Sequence, residues 1–410
     1  MGAKVCRDRE TPSRSETPLR LALDYFAGAT STFDSPLAPI RVSRYQSIGH
    51  IISLVSMPSS SGNYEICIIC ALPLEARAVR ATFNEAAGGD LGKVPDDTNI
   101  YTTGKIGPRN VLLVHMPGMG INPAVAVASI LKQSKGIKLA LLVGICGGVP
   151  TNMSEQLGLG DVIVGKQVIQ YDFGTQYPDC FRRKTDPNDE LGRQSPEIRA
   201  FVAKLESMRE PLAKKTYEYL NEFHSRSSLD GSDSLSGPPT PNDDLFKSSY
   251  WHMHRRLEDC KQGTCMNGEA ICEHARQSSC LEVGCGMEGL ERRVNAKKKP
   301  DIHFGRVASG NKVIRDGEER DKLGRTEDVI AVDMEGAGIW DYLPCVMVKA
   351  VCDYADSHKN KSWQEYAAFV AAACTKAIVE QWPKQGSERG KIDSQDRVRP
   401  LILGLEEPGN

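Results

Sequence analysis

The chain has 410 residues, 40% hydrophobic and 25% charged, with a formal net charge of -2. That is globular composition, long enough for one large α/β domain with appendages. So balanced a charge leaves no concentrated basic face for nucleic acid, and no run of about 18 apolar residues exists to span a membrane. Neither is therefore an expected partner. The opening MGAKVCRDRE has Cys6 where a myristoylation signal wants Ser or Thr, and it lacks the apolar core of a secretory signal. A cytoplasmic protein is expected.

Residues 1–62 are rich in Ser, Thr, Pro and Arg and are expected to be disordered. YEICIICA then reads as a short buried strand, and PLEARAVRATF as a helix with Pro73 near its start. NVLLVHM is a strand, NPAVAVASILKQ a helix, and IKLALLVGI a strand with seven apolar residues among nine. DVIVGKQVIQYDFG is a strand that runs into a polar loop. From about 180 to 300 the alternation breaks, and this stretch reads as one long irregular insertion. Within it SRSSLDGSDSLSGPPTPNDD is of low complexity and reads as a flexible loop, so residues 226–245 are expected to be dispensable. Beyond it IHFGRVASG, DVIAVDMEG and CVMVKAVCD read as strands and SWQEYAAFVAAACTKAIVEQW as a closing helix, before a polar tail over 384–410. Continuous apolar strands separated by helices predict an α/β three-layer sandwich with a mixed, mainly parallel central sheet. The catalytic domain is placed at 63–383, and ligands in such sheets bind beyond the carboxyl ends of the strands.

Thirteen cysteines are present, an odd count that argues against a disulfide framework in a cytosolic chain. Cys260, Cys265, Cys272, Cys280 and Cys285 cluster within 26 residues, with His252, His254 and His274 nearby. Their spacing, C-x4-C-x6-C-x7-C-x4-C, contains no C-x2-C knuckle and matches no zinc signature. The expectation is a Cys-rich insertion packed on itself, with no metal.

The strand ends carry the chemistry. Glu75 follows the first strand in ALPLEARAV, and Gly144, Gly147 and Gly148 lie in VGICGGVP, where backbone must turn tightly or approach a ligand closely. Asp333, Met334 and Glu335 end another strand, and Asp353 ends the next in CDYADSHKNKSWQ. Together with GRVASGNKVI and VDMEGAG, these segments closely resemble the nucleoside phosphorylase/nucleosidase superfamily. The resemblance covers 64–175 and 302–382, and is nearest to fungal domains also found ahead of ankyrin or NACHT modules.

It implies that Asp353 donates a proton towards N7 of a purine, which calls for an apolar surround that keeps the carboxylic acid neutral when needed. It implies that Glu335 accepts hydrogen bonds from the ribose hydroxyls and that Met334 packs under the sugar. Val313 and Ile314 would border the base, and Asn311 or Lys312 would sample its edge. The bland alternatives are a helix N-cap for Asp353, a first-turn acid for Glu335, and for Glu75 a solvated helix residue paired with Arg77 or Arg80.

A phosphorylase must hold an anion. In the hexameric phosphorylases an arginine takes the position of Glu75, and an arginine and a serine take those of Leu142 and Ile145. In the nucleosidase branch the position of Glu75 holds a glutamate that activates water, although a serine usually stands where Ile145 does. The resemblance thus implies a purine nucleosidase without metal or organic cofactor, with a small-molecule purine nucleoside as its partner, assembled as a homo-oligomer. Three rivals remain: a phosphorylase drawing anion contacts from Arg182, Arg183 or the Lys297–Lys299 run, an enzyme acting on nucleotides such as ATP, and a purine sensor without turnover.

Overall fold

A computed structural model describes residues 64–383 apart from 87–96, 134–135, 151–155, 230–236, 257–259, 261–262, 266–269 and 298. The expected disorder of 1–62 and the polar tail of 384–410 lie outside the described residues. Strand β1 (Ile66–Cys70) leads into helix α1 (Pro73–Ala81), then β2 (Glu85–Ala86), β3 (Ile100–Ile106), β4 (Arg109–His115), α2 (Ile121–Gln133), β5 (Leu139–Gly148) and β6 (Val162–Gln170). A small ribbon of β7 (Gly174–Gln176) and β8 (Phe181–Arg183) precedes α3 (Pro196–Ser207) and α4 (Arg209–Leu229). Strand β9 (Asn242–Phe246), the short helices α5 (Glu273–Gln277) and α6 (Cys280–Val283), and β10 (Leu290–Asn295) make up the irregular part. The chain then re-enters the sheet with β11 (Ile302–Ser309), α7 (Gly317–Glu327), β12 (Val329–Asp333), α8 (Gly336–Ile339), β13 (Cys345–Asp353) and α9 (Gln364–Gln381).

Nine strands form one mixed sheet in the order β12-β11-β6-β13-β5-β1-β4-β3-β2, packed between helices. Strand β1 is parallel to both β4 and β5, and β13 is parallel to β5 but antiparallel to β6. Both β1 and β13 are buried at every position, which is why they read as apolar runs, interrupted in β13 by Lys349. Helix α9 is nearly as buried, from Tyr366 through Val379, so its sequence is apolar all round rather than on one stripe. A second, antiparallel pairing of β12 with the last residues of β5, Val332 opposite Gly147 and Ala331 opposite Gly148, curls the sheet. It brings the carboxyl ends of β5, β12 and β13 to one place, and the site forms there.

Two expectations for 180–300 are corrected. Residues 196–229 are not irregular: α3 sets Phe201 edge-on to Trp382 at 4.8 Å, and α4 sets Phe223 against Phe369 of α9 at 6.0 Å. Nor is 226–245 all loop. Although 230–236 lie outside the described residues, Asn242–Phe246 pairs with β10, and Asp243 is buried. Asp243 accepts hydrogen bonds from the Tyr354 hydroxyl (2.6 Å) and the Leu159 amide (3.1 Å). Low complexity in the preceding Ser, Gly and Pro residues concealed a strand whose partner lies far along the chain. Asp243→Ala should therefore destabilise the fold by about 1–3 kcal/mol, the cost of leaving such donors unsatisfied. Urea unfolding measures it, and a midpoint equal to the parent's would refute it.

Candidate active site

Glu75 is held by construction rather than left in solvent. It occupies the third position of α1 and is 2% exposed. Its Oε2 accepts from the amides of Ala71 (3.0 Å) and Leu72 (2.9 Å), and its Oε1 accepts from the Ile145 amide of β5 (2.9 Å). A carboxylate has about four acceptor sites, so Oε1 keeps one. Arg77, its supposed partner, instead pairs with Glu365. Burial pushes the Glu75 pKa above the usual carboxylate range, the Lys349 ammonium pulls it back in part, and Glu335 pushes it up again.

Of the two readings of the glycines in VGICGGVP, a tight turn or close approach to a ligand, the turn is not found: they are extended residues of β5. Gly144 is required because a Cβ there would overlap the Glu75 carboxylate. At Gly147 it would come within 2.9 Å of Val332 and 3.2 Å of Asp353 Oδ1. Gly148 is tight for a different reason, its closest neighbour being the Val351 side chain. Close approach, not backbone strain, explains all three.

Glu335 lies two residues beyond the end of β12 and α8 starts after it, yet its side chain caps no helix. Its Oε1 accepts from the Gly120 amide (3.3 Å) and its Oε2 from Lys349 Nζ (3.1 Å). The same ammonium lies 3.5 Å from Asp333 Oδ2. Burial works against the charge on Lys349, but Glu335, Asp333 and Glu75 together hold its pKa above the ordinary value. Two carboxylates that would repel each other are thus bridged by one buried cation.

Glu75, Met334, Glu335, Gly147, Ile145, Val313 and Ile314 all line one cavity of about 250 Å³. Asp353 does not line it. It lies in the wall of an adjoining cavity of about 240 Å³, and Cys352 and Lys359 border both. Its Oδ1 accepts from the Ala355 amide (2.9 Å), while Oδ2 meets Lys359 Nζ at 3.0 Å. Helix α9 starts with Trp363 as its cap, so Asp353 caps nothing there. The apolar surround expected for Asp353 is corrected: an ammonium shares it.

Three further assignments change. Asn311 is absent from the lining of the 250 Å³ cavity and spends its Oδ1 on the Ile121 amide at the start of α2 (3.0 Å). Leu142 is buried within the sheet beside Ile69 and Met347, so its identity says nothing about anion binding. Two of the cations proposed for a phosphorylase are already neutralised. Arg183 pairs with Glu327 and Glu190, and Lys297 with Asp161 and Asp301. Lys298 lies outside the described residues.

A family model described as "Phosphorylase superfamily" matches residues 65–226, the part carrying Glu75 and the β5 glycines. The chain belongs to this superfamily. A nucleotide-binding leucine-rich repeat (NLR)-like protein of Hyaloscypha variabilis is 32% identical to this superfamily member over 335 residues, which is 80% of the chain but 30% of that relative's length. A 5'-methylthioadenosine/S-adenosylhomocysteine nucleosidase of Mycobacterium bovis is 18% identical over 77% of this chain and 96% of its own. Among solved structures, the enzyme of the same description from Helicobacter pylori aligns at 16% identity and a TM-score of 0.45, over 78% of this chain and 99% of its own. The similarity is to nucleosidase-type hydrolases.

Lys349 and Lys359 escaped the sequence reading of this superfamily member. The signal for Lys349 was present, since one lysine interrupts the otherwise apolar CVMVKAV, and a charge in such a run needs buried partners. Nothing comparable marks Lys359, which sits in the polar run SHKNKS.

Proposed function

We propose that the chain hydrolyses the N-glycosidic bond of purine nucleosides, releasing free base and ribose. The observation that carries this reading is the Glu75 carboxylate: buried, raised in pKa, and facing a cavity floored by Met334 and Glu335. An ionised carboxylate of raised pKa accepts a proton more readily than an exposed carboxylate does. Glu75 takes a proton from water as the water oxygen bonds to the anomeric carbon. The glycosidic bond breaks with its electron pair passing to the purine, and Asp353 delivers a proton to the base. Glu335, steadied by Lys349, accepts from the sugar hydroxyls. For the purine to reach Asp353, the Lys359 ammonium must yield its place between the two cavities.

One observation favours a phosphorylated substrate as the second reading. Lys312, Arg315, Lys359 and Lys361 all line the cavity, and of these only Lys359 meets a carboxylate in the ion pairs described. Such a rim fits a nucleotide phosphate, supplied here by strand-end loops rather than by the insertion. The test is a panel of purine nucleosides and nucleotides assayed with and without inorganic phosphate. Turnover should proceed in phosphate-free buffer and release ribose or a ribose phosphate ester. Strict dependence on inorganic phosphate, with ribose 1-phosphate as product, would refute hydrolysis.

A further inference from the structure

We propose that the insertion holds a structural zinc ion between His252, Cys280, Cys285 and His358, and that this ion ties it to the loop beside Asp353. Spacing along the chain concealed the site because its fourth ligand is not in the insertion. His358 follows β13, more than seventy residues beyond the last of the clustered cysteines.

The ligand atoms of His252, Cys285 and His358 lie within 4.8 Å of one another. Cys280 Sγ and Cys285 Sγ are each 3.5 Å from His252 Nδ1. A thiolate about 2.3 Å and an imidazole nitrogen about 2.05 Å from one ion, at the tetrahedral angle, stand about 3.5 Å apart. The spacing is therefore that of two edges of a zinc tetrahedron. His252 Nε2 lies 3.0 Å from the Ser278 carbonyl and so carries the proton, which leaves the Nδ1 lone pair facing the sulfurs. Anchoring the distal nitrogen on a backbone carbonyl is how ligand histidines are oriented.

His358 supplies the independent observation. It is buried, stacked on Phe246 at 3.8 Å, and neither ring nitrogen has a hydrogen-bond partner. Asp356 Oδ1 stands 3.8 Å from Nδ1, beyond a hydrogen bond. Two orphaned nitrogens in one buried ring are costly unless a ligand takes one. One thiol between two imidazoles, with a second thiol beside His252, favours Zn²⁺. The Ser357 hydroxyl accepts from the His252 amide at 2.9 Å, so the two segments already touch. Lys359, the next residue after His358, is the one paired with Asp353. Fixing His358 therefore fixes the wall shared by the two cavities.

The test is metal analysis of the full-length chain, purified under reducing conditions, incubated with ZnCl₂ and dialysed against metal-free buffer. The parent should retain zinc, and Cys285→Ser and His252→Asn should each hold one equivalent less. Cys260, Cys265 and Cys272 form a separate three-thiol cluster. Any second equivalent held there should persist in both variants and be lost in Cys265→Ser. Should the variants prove insoluble, cobalt substitution of the parent decides the matter, through the thiolate charge-transfer band of a tetrahedral site and its loss on adding zinc. Hydrogen exchange over 354–361 should also accelerate when the metal is removed. A parent that holds no metal, variants with the parent's metal content, or a Cys280–Cys285 disulfide in the reduced protein would each overturn the proposal.

Discussion

Glu75→Gln is expected to lower turnover about 10²-fold or more in phosphate-free buffer, the usual scale for removing a general base. The substitution keeps the volume, so Gly144 still clears the side chain. A glutamine has one carbonyl oxygen, however, and cannot accept both from Ile145 on one side and from Ala71 and Leu72 on the other. Part of any stability loss will come from that mismatch, so folding must be measured beside activity. The pH profile separates the two effects. Burial raises the Glu75 pKa, and the base must be ionised to act. The parent's kcat/KM should therefore fall as pH drops through a value above the usual carboxylate range of about 4.3. In Glu75→Gln that acid limb should disappear while the residual rate stays flat. An unchanged limb in the variant would assign the titration to another group and remove Glu75 from the mechanism.

Asp353→Asn should leave binding close to the parent's while turnover falls about 10²- to 10⁴-fold, the range for general acid catalysis. The amide matches the carboxylate in shape and can still donate a hydrogen bond to a purine nitrogen, but it cannot deliver a proton. Loss confined to kcat marks an interaction made mainly in the transition state. The Lys359 ammonium complicates the reading, because it sits 3.0 Å from Oδ2 and loses its counter-charge in the variant. A nitrophenyl riboside resolves this. Its leaving group departs without protonation, so its hydrolysis should be much less sensitive to Asp353→Asn, whereas a disrupted Lys359 wall would slow both substrates alike. Equal losses on the two would mean that Asp353 acts as an anchor for Lys359 and donates no proton. Near-parent rates on purine nucleosides would force the leaving-group acid to be sought elsewhere.

What the amino-acid order determined by itself was the local pattern. Apolar runs such as ICIIC and CVMVKAV read as strands covered on both faces, and Pro73 sets the start of the helix that carries Glu75. The acidic strand ends of ALPLE, VDMEG and CDYAD were visible for the same reason, because charge next to an apolar run stands out. Tertiary structure decided whatever depends on a partner distant in the chain. Asn311 reads as a polar residue free for a ligand until α2 presents the Ile121 amide to it. Asp243 reads as loop until Tyr354 and Leu159 close on it across the sheet. Lys349 becomes intelligible only when Glu335 and Asp333 arrive from β12 and beyond, since a buried charge is stable only beside opposite charge. Cys285 acquires a companion in His358 by the same route. Hydrophobic period is a property of neighbours in sequence, whereas pairing of buried polar groups is a property of neighbours in space.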